Sequence, residues 1–538
     1  MRHVLVSVVV ALSLGARVAA ADTYPRQPID VVHYAFNLEL RDDSNEIGGE
    51  ATVEVRILEA NLAEFALDLA SANGGTGMTV SEVSADGRPL RFAHDHDRLR
   101  IALASPARVG DHARVLIKYR GVPASGLRIG SNKFGERTFF ASSWPDKARQ
   151  WLPTIDHVSN KATVEIAVTA PSHYQVVSNG RLVEVLDLPN DRRRTRWAES
   201  APIAPWLVTI GVARFAVHRT DPAAGVPLET WVFPTDRDRG YPTFELPARQ
   251  ALEFFSELVG PYPYEKLANV EAAGVTGGME HASAIAYGEA SVTGQPIPTL
   301  VAHEIAHAWF GDGVTERDWD DVWLSEGFAT YLAHLFVEHV EGRDAFVAGL
   351  KRDRNRVIEA ERRSPATPVV HRDLADMTKV LNVFVYQKAG WVLHMLRGTV
   401  GFEAFRRGLR EYYARYVNAN ASTADFERVM EEVSGVDLST FFRQWLRRPG
   451  VPRIAGTWHY DRATATIEVD LVQSTDGEVF QLPLEIGIVS GPGLPPRIEK
   501  VAITGEHHHV AFTVDHEPAD VVLDPDTWTL ADMTLVKK

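Results

Sequence analysis

The chain has 538 residues, of which 45% are hydrophobic and 24% charged, a composition typical of globular proteins and not of disordered ones. It is too long for one compact core, so two to four domains are expected. The formal net charge of −15 argues against a nucleic-acid partner, since phosphate binding needs clustered basic side chains. The sequence contains no cysteine, which excludes disulfides and thiolate ligands and leaves histidine and carboxylate side chains as candidate metal ligands.

The first twenty residues form a candidate secretory signal peptide. Arg2 begins a short basic head, residues 4–14 are almost entirely apolar, and residues 18–20 are small. Such a segment is too short to span a bilayer and is typical of a signal cleaved after Ala20 or Ala21. We therefore expect an exported protein, periplasmic or extracellular, with a buried N-terminal helix as the alternative. No later stretch approaches eighteen apolar residues, so no stable membrane insertion is expected after signal cleavage.

Period-two alternation of apolar side chains follows the signal segment. It places one row of side chains in a core and the other in water, as in a half-buried strand. Four segments show it, and their apolar positions are Val32, Tyr34, Phe36, Leu38 and Leu40; Val53, Val55 and Ile57; Val115, Ile117 and Tyr119; and Val164, Ile166 and Val168. The sequence therefore predicts an N-terminal β-rich domain over residues 21–220.

Helical periodicity replaces this alternation in residues 221–450. Pro247 is predicted to open one helix, whose apolar stripe ends before Gly260, and a last helix is predicted from Leu438 to Arg448. Alternation then returns, which predicts a small antiparallel β-sandwich over residues 451–538. The predicted fold is thus multidomain α+β.

One helical segment carries a candidate metal site. His303 and His307 lie four residues apart, so both imidazoles project from one face of a helix and can bind a single ion. Glu304 lies beside this pair, where it can take a proton from a water molecule. Glu326 follows His307 by nineteen residues and begins a second predicted helix. Two histidines and one carboxylate leave a fourth position open, as a hydrolytic zinc site requires.

The residues around this site resemble those of a known enzyme family. Residues 303–330 resemble the aminopeptidase N family of gluzincin zinc metallopeptidases, which also contains leukotriene hydrolase. The resemblance extends upstream to residues 277–281, where the family reads Gly-x-Met-Glu-Asn, and downstream to residues 385–390 and 441–450. In the N-terminal domain it includes Arg149, Pro153, Asp156 and the run Ser178-Asn179-Gly180. It implies a saddle-like N-terminal domain, a thermolysin-like catalytic domain and one Zn²⁺ per chain.

The resemblance also implies roles for residues outside the metal ligands. Gly277 and Gly278 would supply backbone contacts to substrate, and Met279 would border the pocket for its first side chain. Glu280 would bind the substrate's free α-amine. Tyr386 would donate a hydrogen bond to the oxyanion of the tetrahedral intermediate.

Two positions depart from the family pattern. His281 stands where the family has asparagine, and its imidazole would make a contact with substrate that depends on pH near 6.5. Ser142 aligns with a family glutamine or glutamate that is a second amine anchor, so amine selectivity is expected to depend mainly on Glu280.

The sequence as a whole predicts a zinc-dependent aminopeptidase that removes N-terminal residues from peptides with a free N-terminus. Metal-activated water would attack the peptide bond, with Glu304 as general base. Two alternatives remain at this point: a zinc hydrolase of the same fold acting on a non-peptide substrate such as an epoxide, and a catalytically inactive binding protein. No oligomeric state is predicted.

Overall fold

The computed structural model describes Tyr24, residues 26–370, Leu374 and residues 376–538. The predicted signal peptide lies outside these residues. Within them, no helix combines the length and the apolar character needed to cross a bilayer.

The N-terminal domain consists of strands. Its main sheet has eight strands in the order β13-β14-β11-β1-β2-β8-β4-β5, beside a sheet β12-β15-β10-β9 and a sheet β3-β7-β6. The strands are β1 Ile29–Glu39, β2 Ile47–Ile57, β3 Leu62–Asp68, β4 Gly77–Ala85, β5 Arg88–Pro89, β6 Phe92–Asp95, β7 Arg98–Ala107, β8 His112–Val122, β9 Leu127–Ser131, β10 Arg137–Ala141, β11 Ala162–Pro171, β12 Gln175–Ser178, β13 Arg181–Leu188, β14 Arg192–Ile203 and β15 Ile210–Ala213. This confirms the predicted β-rich domain.

The predicted inward-facing rows are buried, with one exception. Val53, Val55 and Ile57 on β2 are fully buried, as the alternation requires. On β1 the register against β2 shifts between Val31 and His33, so Val31 is buried and Val32 is only partly so. A bulge adds one residue and reverses which side chain faces the core, which an alternation pattern alone does not reveal.

The second domain begins with a five-stranded sheet in the order β16-β17-β18-β20-β19. Its strands are β16 Ala216–Ala223, β17 Val226–Val232, β18 Leu267–Ala272, β19 Gly278–Met279 and β20 Ala284–Gly288. The predicted boundary after residue 220 therefore falls inside β16. The change of sheet occurs earlier, between β15 and β16.

Helices make up most of the rest of this domain. They are α1 Arg237–Leu258, α2 Pro298–Ala306, α3 Trp323–Glu341, α4 Arg343–Arg363, α5 Ala389–Val400, α6 Phe402–Tyr416, α7 Thr423–Ser434 and α8 Ser439–Phe442, with π turns at Phe384–Lys388 and Arg443–Arg447 and short strands β21 Val314–Glu316 and β22 Ala419–Ala421. Helix α1 begins ten residues before Pro247, so the predicted start was wrong. Pro242 and Pro247 both lie inside it. The two prolines donate no backbone hydrogen bonds, but between them Phe244 is fully buried and its ring stacks on Tyr287 of β20.

The C-terminal domain has two sheets, β27-β24-β23-β29 and β26-β25-β28, whose buried faces join one apolar cluster. Its strands are β23 Arg453–Asp461, β24 Thr466–Ser474, β25 Leu482–Val489, β26 Arg497–Ile503, β27 His507–Thr513, β28 Asp520–Leu523 and β29 Asp532–Lys537. Strands β23 and β29 are parallel, so the expectation of a purely antiparallel sandwich was wrong. Ion pairs from Arg354 to Asp524 and from Arg362 to Asp532 join this domain to α4.

Candidate active site

Helices α2 and α3 bring the three predicted metal ligands to one point. His303 belongs to α2, His307 directly follows its last residue, and Glu326 lies in the first turn of α3. The Nε2 atoms of the two histidines are 3.2 Å apart, and Glu326 Oε2 lies 3.4 Å from each of them. Helices α2 and α3 pack closely against each other, so this convergence follows from helix packing and not from a loop.

These three atoms fit a tetrahedral zinc site. Zinc bonds of 2.0–2.1 Å to nitrogen and oxygen give a tetrahedron whose edges are about 3.3 Å, close to the observed ligand separations. Glu326 Oε2 is buried and accepts no hydrogen bond, so it lacks a partner that a cation would supply. Burial disfavours the ionised carboxyl, but the two imidazoles outweigh burial and hold the pKa of Glu326 well below its usual range.

Ser325 and Gly311 fix the orientation of the His307 ring. Ser325 Oγ lies 2.9 Å from His307 Nδ1. If Nε2 keeps its lone pair for a metal, Nδ1 carries the hydrogen and donates it to Ser325. A Cβ atom at Gly311 would lie 2.3 Å from Ser325 Oγ and 3.0 Å from His307 Nδ1. Glycine at position 311, where φ is +122°, therefore leaves space for this hydrogen bond.

Glu304 lies beside the ligands and against the backbone of β19. A Cβ atom at Gly278 would lie 2.2 Å from Glu304 Cδ, so the carboxyl occupies the space that the glycine leaves free. Burial, and then the nearby charge of Glu280, raise the pKa of Glu304 well above its ordinary value. Position 278 is therefore glycine for a structural reason that the sequence alone did not show. A larger residue would occupy the space that the Glu304 carboxyl needs.

Glu280 follows β19 and faces the same point as Glu304. The two carboxyls and His307 each offer one ligand atom within 4.8 Å of the others. Burial raises the pKa of Glu280, with His307 opposing this effect and Glu326 adding to it. Two buried carboxyls this close favour a cationic partner, either a metal or an ammonium group. Met279 is partly buried against the apolar core, at the edge of the same sheet.

Tyr386 contacts two of the predicted metal ligands. It belongs to the π turn Phe384–Lys388, and its hydroxyl donates to Glu326 Oε1 over 2.7 Å. Its ring stacks near His303, with ring centres 6.1 Å apart and an angle of 20° between the planes. Burial, and then Glu326, raise the pKa of Tyr386, so the hydroxyl keeps its hydrogen and remains a donor.

His281 does not behave as the sequence predicted. Its side chain is completely buried, and neither ring nitrogen has a hydrogen-bond partner. Burial lowers the pKa of His281 to about 3, so the expected titration near pH 6.5 is wrong. An imidazole without exposed surface also makes no pH-dependent contact with a substrate in the cleft.

Ser142 directly follows β10 and is partly buried. Its backbone N–H donates to the carbonyl of Gly126.

The N-terminal domain positions both halves of the site. Asn179 Nδ2 donates to the carbonyl of Ala282, and the backbone of Gly180 donates to Ser283 Oγ, directly after the Glu280 segment. Lys161 Nζ donates to the carbonyl oxygens of Asp312 and Gly313, in the loop that follows His307. The run Ser178-Asn179-Gly180 is therefore a contact between domains.

Sequence reasoning missed Ser325, Gly311 and Lys161. Ser325 directly precedes Glu326 in the chain, and a hydroxyl beside a predicted ligand is a signal that could have identified it. The other two act through contacts distant in sequence, which no local pattern predicts. Together, the ligands, the buried carboxyl of Glu304 and the phenol of Tyr386 form the arrangement of a metal-dependent hydrolytic site.

Comparisons with known proteins agree with this class. The family model described as Peptidase family M1 domain matches residues 245–445, and that described as Peptidase M1 N-terminal domain matches residues 31–207. The two ranges cover most of the sequence. The chain belongs to peptidase family M1.

Individual relatives share both sequence and fold. Tricorn protease-interacting factor F2 of Thermoplasma acidophilum is 27% identical over 77% of this chain. The crystal structure of an M1 zinc metallopeptidase from Deinococcus radiodurans has a TM-score of 0.68 at 24% identity and covers 78% of this chain and 93% of its own. The structure of Legionella pneumophila aminopeptidase A in complex with aspartic acid has a TM-score of 0.79 at 17% identity and covers 95% of this chain and 60% of its own. The curated relatives are longer: this chain spans 54% of the length of Tricorn protease-interacting factor F2 and 59% of that of a leucyl aminopeptidase of Saccharolobus solfataricus, to which it is 23% identical over 86% of this chain.

Proposed function

We propose that this protein is a zinc-dependent aminopeptidase that releases N-terminal residues from peptides with a free α-amine. The observation that carries the proposal is the position of Glu280, a buried carboxyl within 4.8 Å of both the Glu304 carboxyl and the metal ligand His307. A carboxylate there can bind an ammonium group only when that group lies next to the reacting bond. Such a site selects the first residue of a chain and rejects internal peptide bonds.

His303, His307 and Glu326 would hold the zinc, and their separations and donor types fit this ion. When bound, the metal supplies Lewis acidity and lowers the pKa of water in the site. The names of the structural neighbours, a zinc metallopeptidase and an aminopeptidase, support both the metal and the reaction.

Three side chains of this protein have separate roles in the proposed reaction. Glu280 pairs with the substrate ammonium and so sets the first peptide carbonyl beside the metal ligands. Glu304 takes a proton from the attacking water and passes it to the leaving amine. The Tyr386 hydroxyl, 2.7 Å from Glu326 Oε1, is close enough to turn towards the carbonyl oxygen and donate to it as charge develops there.

Purified protein should therefore be assayed on a panel of aminoacyl reporters, each beside its N-acetylated counterpart, with and without a chelator. We expect turnover of free-amine reporters only, with loss on chelation and recovery with zinc. Glu280→Ala should remove most of the difference between free and acetylated substrates. Stoichiometric zinc without turnover of any reporter would refute the aminopeptidase proposal and favour a non-peptide substrate or an inactive binding protein.

Glu304→Gln separates chemistry from metal binding. We expect it to retain zinc and to lower kcat by about 10²–10⁴-fold, the usual contribution of a general base. Loss of zinc from this variant would instead assign Glu304 to the metal site.

We further propose that the protein is exported, on the strength of the basic head and apolar run of its first twenty residues. Expression with its own N-terminus, followed by fractionation and N-terminal sequencing, tests this. A mature chain starting after Ala20 or Ala21 outside the cytoplasm supports export, and an intact N-terminus in the cytoplasm refutes it.

A further inference from the structure

We propose that the buried ion pair between Lys388 and Glu361 is a positioning device for Tyr386. The inference rests on the proposed function, because it gives this pair a role in the reaction assigned to the site. Neither residue reaches the metal ligands; both act through the backbone of the turn that carries the tyrosine.

The pair joins three separate elements at one buried point. Lys388 has no exposed surface, and its Nζ donates to Glu361 Oε1 on α4 and to the carbonyl of Gly450, each over 2.9 Å. The backbone of Gly450 in turn donates to Glu361 Oε1 over 3.2 Å. Gly450 has φ +93°, a conformation that favours glycine. The turn is thus fastened to α4 and to the segment that leads into the C-terminal domain.

Tyr386 and Lys388 belong to the same π turn, only two residues apart. One projects towards Glu326 and the other towards Glu361, so the turn is held at its middle residue and at its last one. Asn382, two residues before the turn, also restrains it, since its Oδ1 accepts from the backbone N–H of Phe384 over 2.9 Å. A shift of the Lys388 anchor would therefore be transmitted to the phenol through a short and otherwise constrained piece of backbone.

Helix α3 leaves this turn little freedom on its other side. A Cβ atom at Gly327 would lie 2.5 Å from Ala389 Cβ, and one at Gly390 would lie 3.2 Å from Thr330 Cγ2. Gly327 directly follows the ligand Glu326 in sequence, so the turn packs on the same helical turn that supplies the metal ligand. Movement towards α3 is blocked, and the Lys388 anchor opposes movement away from it.

The chemistry of the pair favours positioning over stability as its purpose. Burying an ammonium and a carboxylate costs desolvation energy, and an apolar pair of similar size often stabilises a fold equally well. Glu361 Oε2 is also buried without a hydrogen-bond partner, a further cost. An ion pair with three directional hydrogen bonds does, however, define one geometry for the turn, which an apolar contact does not.

Lys388→Met tests the proposal, with Asp353→Asn as its matched control. Asp353 is also on α4, and its buried bond to His334 over 2.7 Å contacts neither the π turn nor the ligands. We expect Lys388→Met to lower kcat about 100-fold, as a displacement of about 1 Å at a reacting group does, with KM and zinc content changed less than about threefold. Asp353→Asn alters a buried polar contact of the same helix and should leave kcat within about threefold.

The same substitution in a Tyr386→Phe background shows whether the effect passes through the phenol. We expect Lys388→Met to change kcat less than about threefold there, since the group that it positions is already absent. An equal loss of kcat in both backgrounds, or an equal loss in Asp353→Asn, would overturn the proposal and make the pair merely structural.

Hydrogen exchange gives a readout that needs no activity. In metal-free protein, Lys388→Met should speed amide exchange in residues 384–390 by at least tenfold, and Asp353→Asn should leave that segment unchanged. Unchanged exchange in Lys388→Met would overturn the positioning role even if the enzyme proved to be an aminopeptidase. Faster exchange in a protein that hydrolyses no aminoacyl reporter would refute the proposed function and leave the anchoring of Tyr386 intact.

Discussion

Tyr386 donates its hydroxyl hydrogen to Glu326 Oε1 over 2.7 Å, while Oε2 of the same carboxyl lies 3.4 Å from both ligand imidazoles. One carboxylate thus connects the two candidate histidine ligands to Tyr386, the proposed oxyanion donor. The phenol is held beside the ligands before any substrate arrives, which reduces the reorganisation needed during the reaction.

Tyr386→Phe should therefore separate two roles of the phenol. Loss of an oxyanion donor lowers kcat by about 10²–10³-fold, whereas loss of a hydrogen bond to a metal ligand weakens metal affinity by about 10–100-fold. We expect both effects, with the loss of kcat persisting at saturating zinc. Kinetics at several zinc concentrations measure them. If zinc restores full kcat, the phenol serves only the ligand carboxylate.

Ser325→Ala should act on the metal alone. The serine holds the His307 ring through Nδ1 over 2.9 Å. We expect zinc affinity to fall about 10–100-fold and kcat at saturating zinc to stay within about threefold. Competition with a chromophoric chelator measures the affinity. Ser256→Ala is the matched control, because that buried hydroxyl has no hydrogen-bond partner to lose; an equal change there would contradict the assignment.

Gly278→Ala should displace Glu304, the proposed general base. The added Cβ would lie 2.2 Å from Glu304 Cδ, so the carboxyl must move from its place beside the predicted metal ligands. We expect kcat to fall about 100-fold with zinc content unchanged. In Gly48→Ala, the control, the nearest atom to the new Cβ would be 3.5 Å away, so activity should not change. Normal turnover by Gly278→Ala would show that Glu304 tolerates displacement and is not the base.

The sequence alone predicted the domain order and the ligand set because both depend on local patterns. Helical spacing is sufficient to place His303 and His307 on one face, and the family resemblance added Glu280 and Tyr386. The sequence could not show that a carboxylate oxygen of Glu326 lies 3.4 Å from each histidine, since that distance depends on how α2 packs on α3. The anchor at Lys388 also stayed hidden, because its partners lie 27 and 62 residues away.

Burial explains the errors as well. The β1 bulge and the start of α1 are decided by tertiary packing, which outweighs the local alternation and the two prolines. The titration of His281 was predicted from the pKa of a histidine side chain in water. In the structure no charged group contributes to its shifted pKa; burial alone accounts for it.

His281 gives a prediction for stability against pH. Its pKa is about 3 in the folded protein and about 6.5 in the unfolded chain, so below pH 6.5 the unfolded state binds the additional proton. The contribution of the neutral ring to the free energy of unfolding is fully present above pH 6.5. It is lost as pH falls towards 3, by up to about 1.4 kcal/mol per pH unit. The wild type should therefore lose stability steeply between pH 6.5 and 5. His281→Asn, which does not titrate, should show a shallower fall in unfolding temperature over the same range by calorimetry.

The exposed His507 on β27 supplies the control, since His507→Asn should keep the steep wild-type profile. Parallel profiles for wild type and His281→Asn would mean that the ring is charged or hydrated in the folded protein and that its burial does not govern its titration.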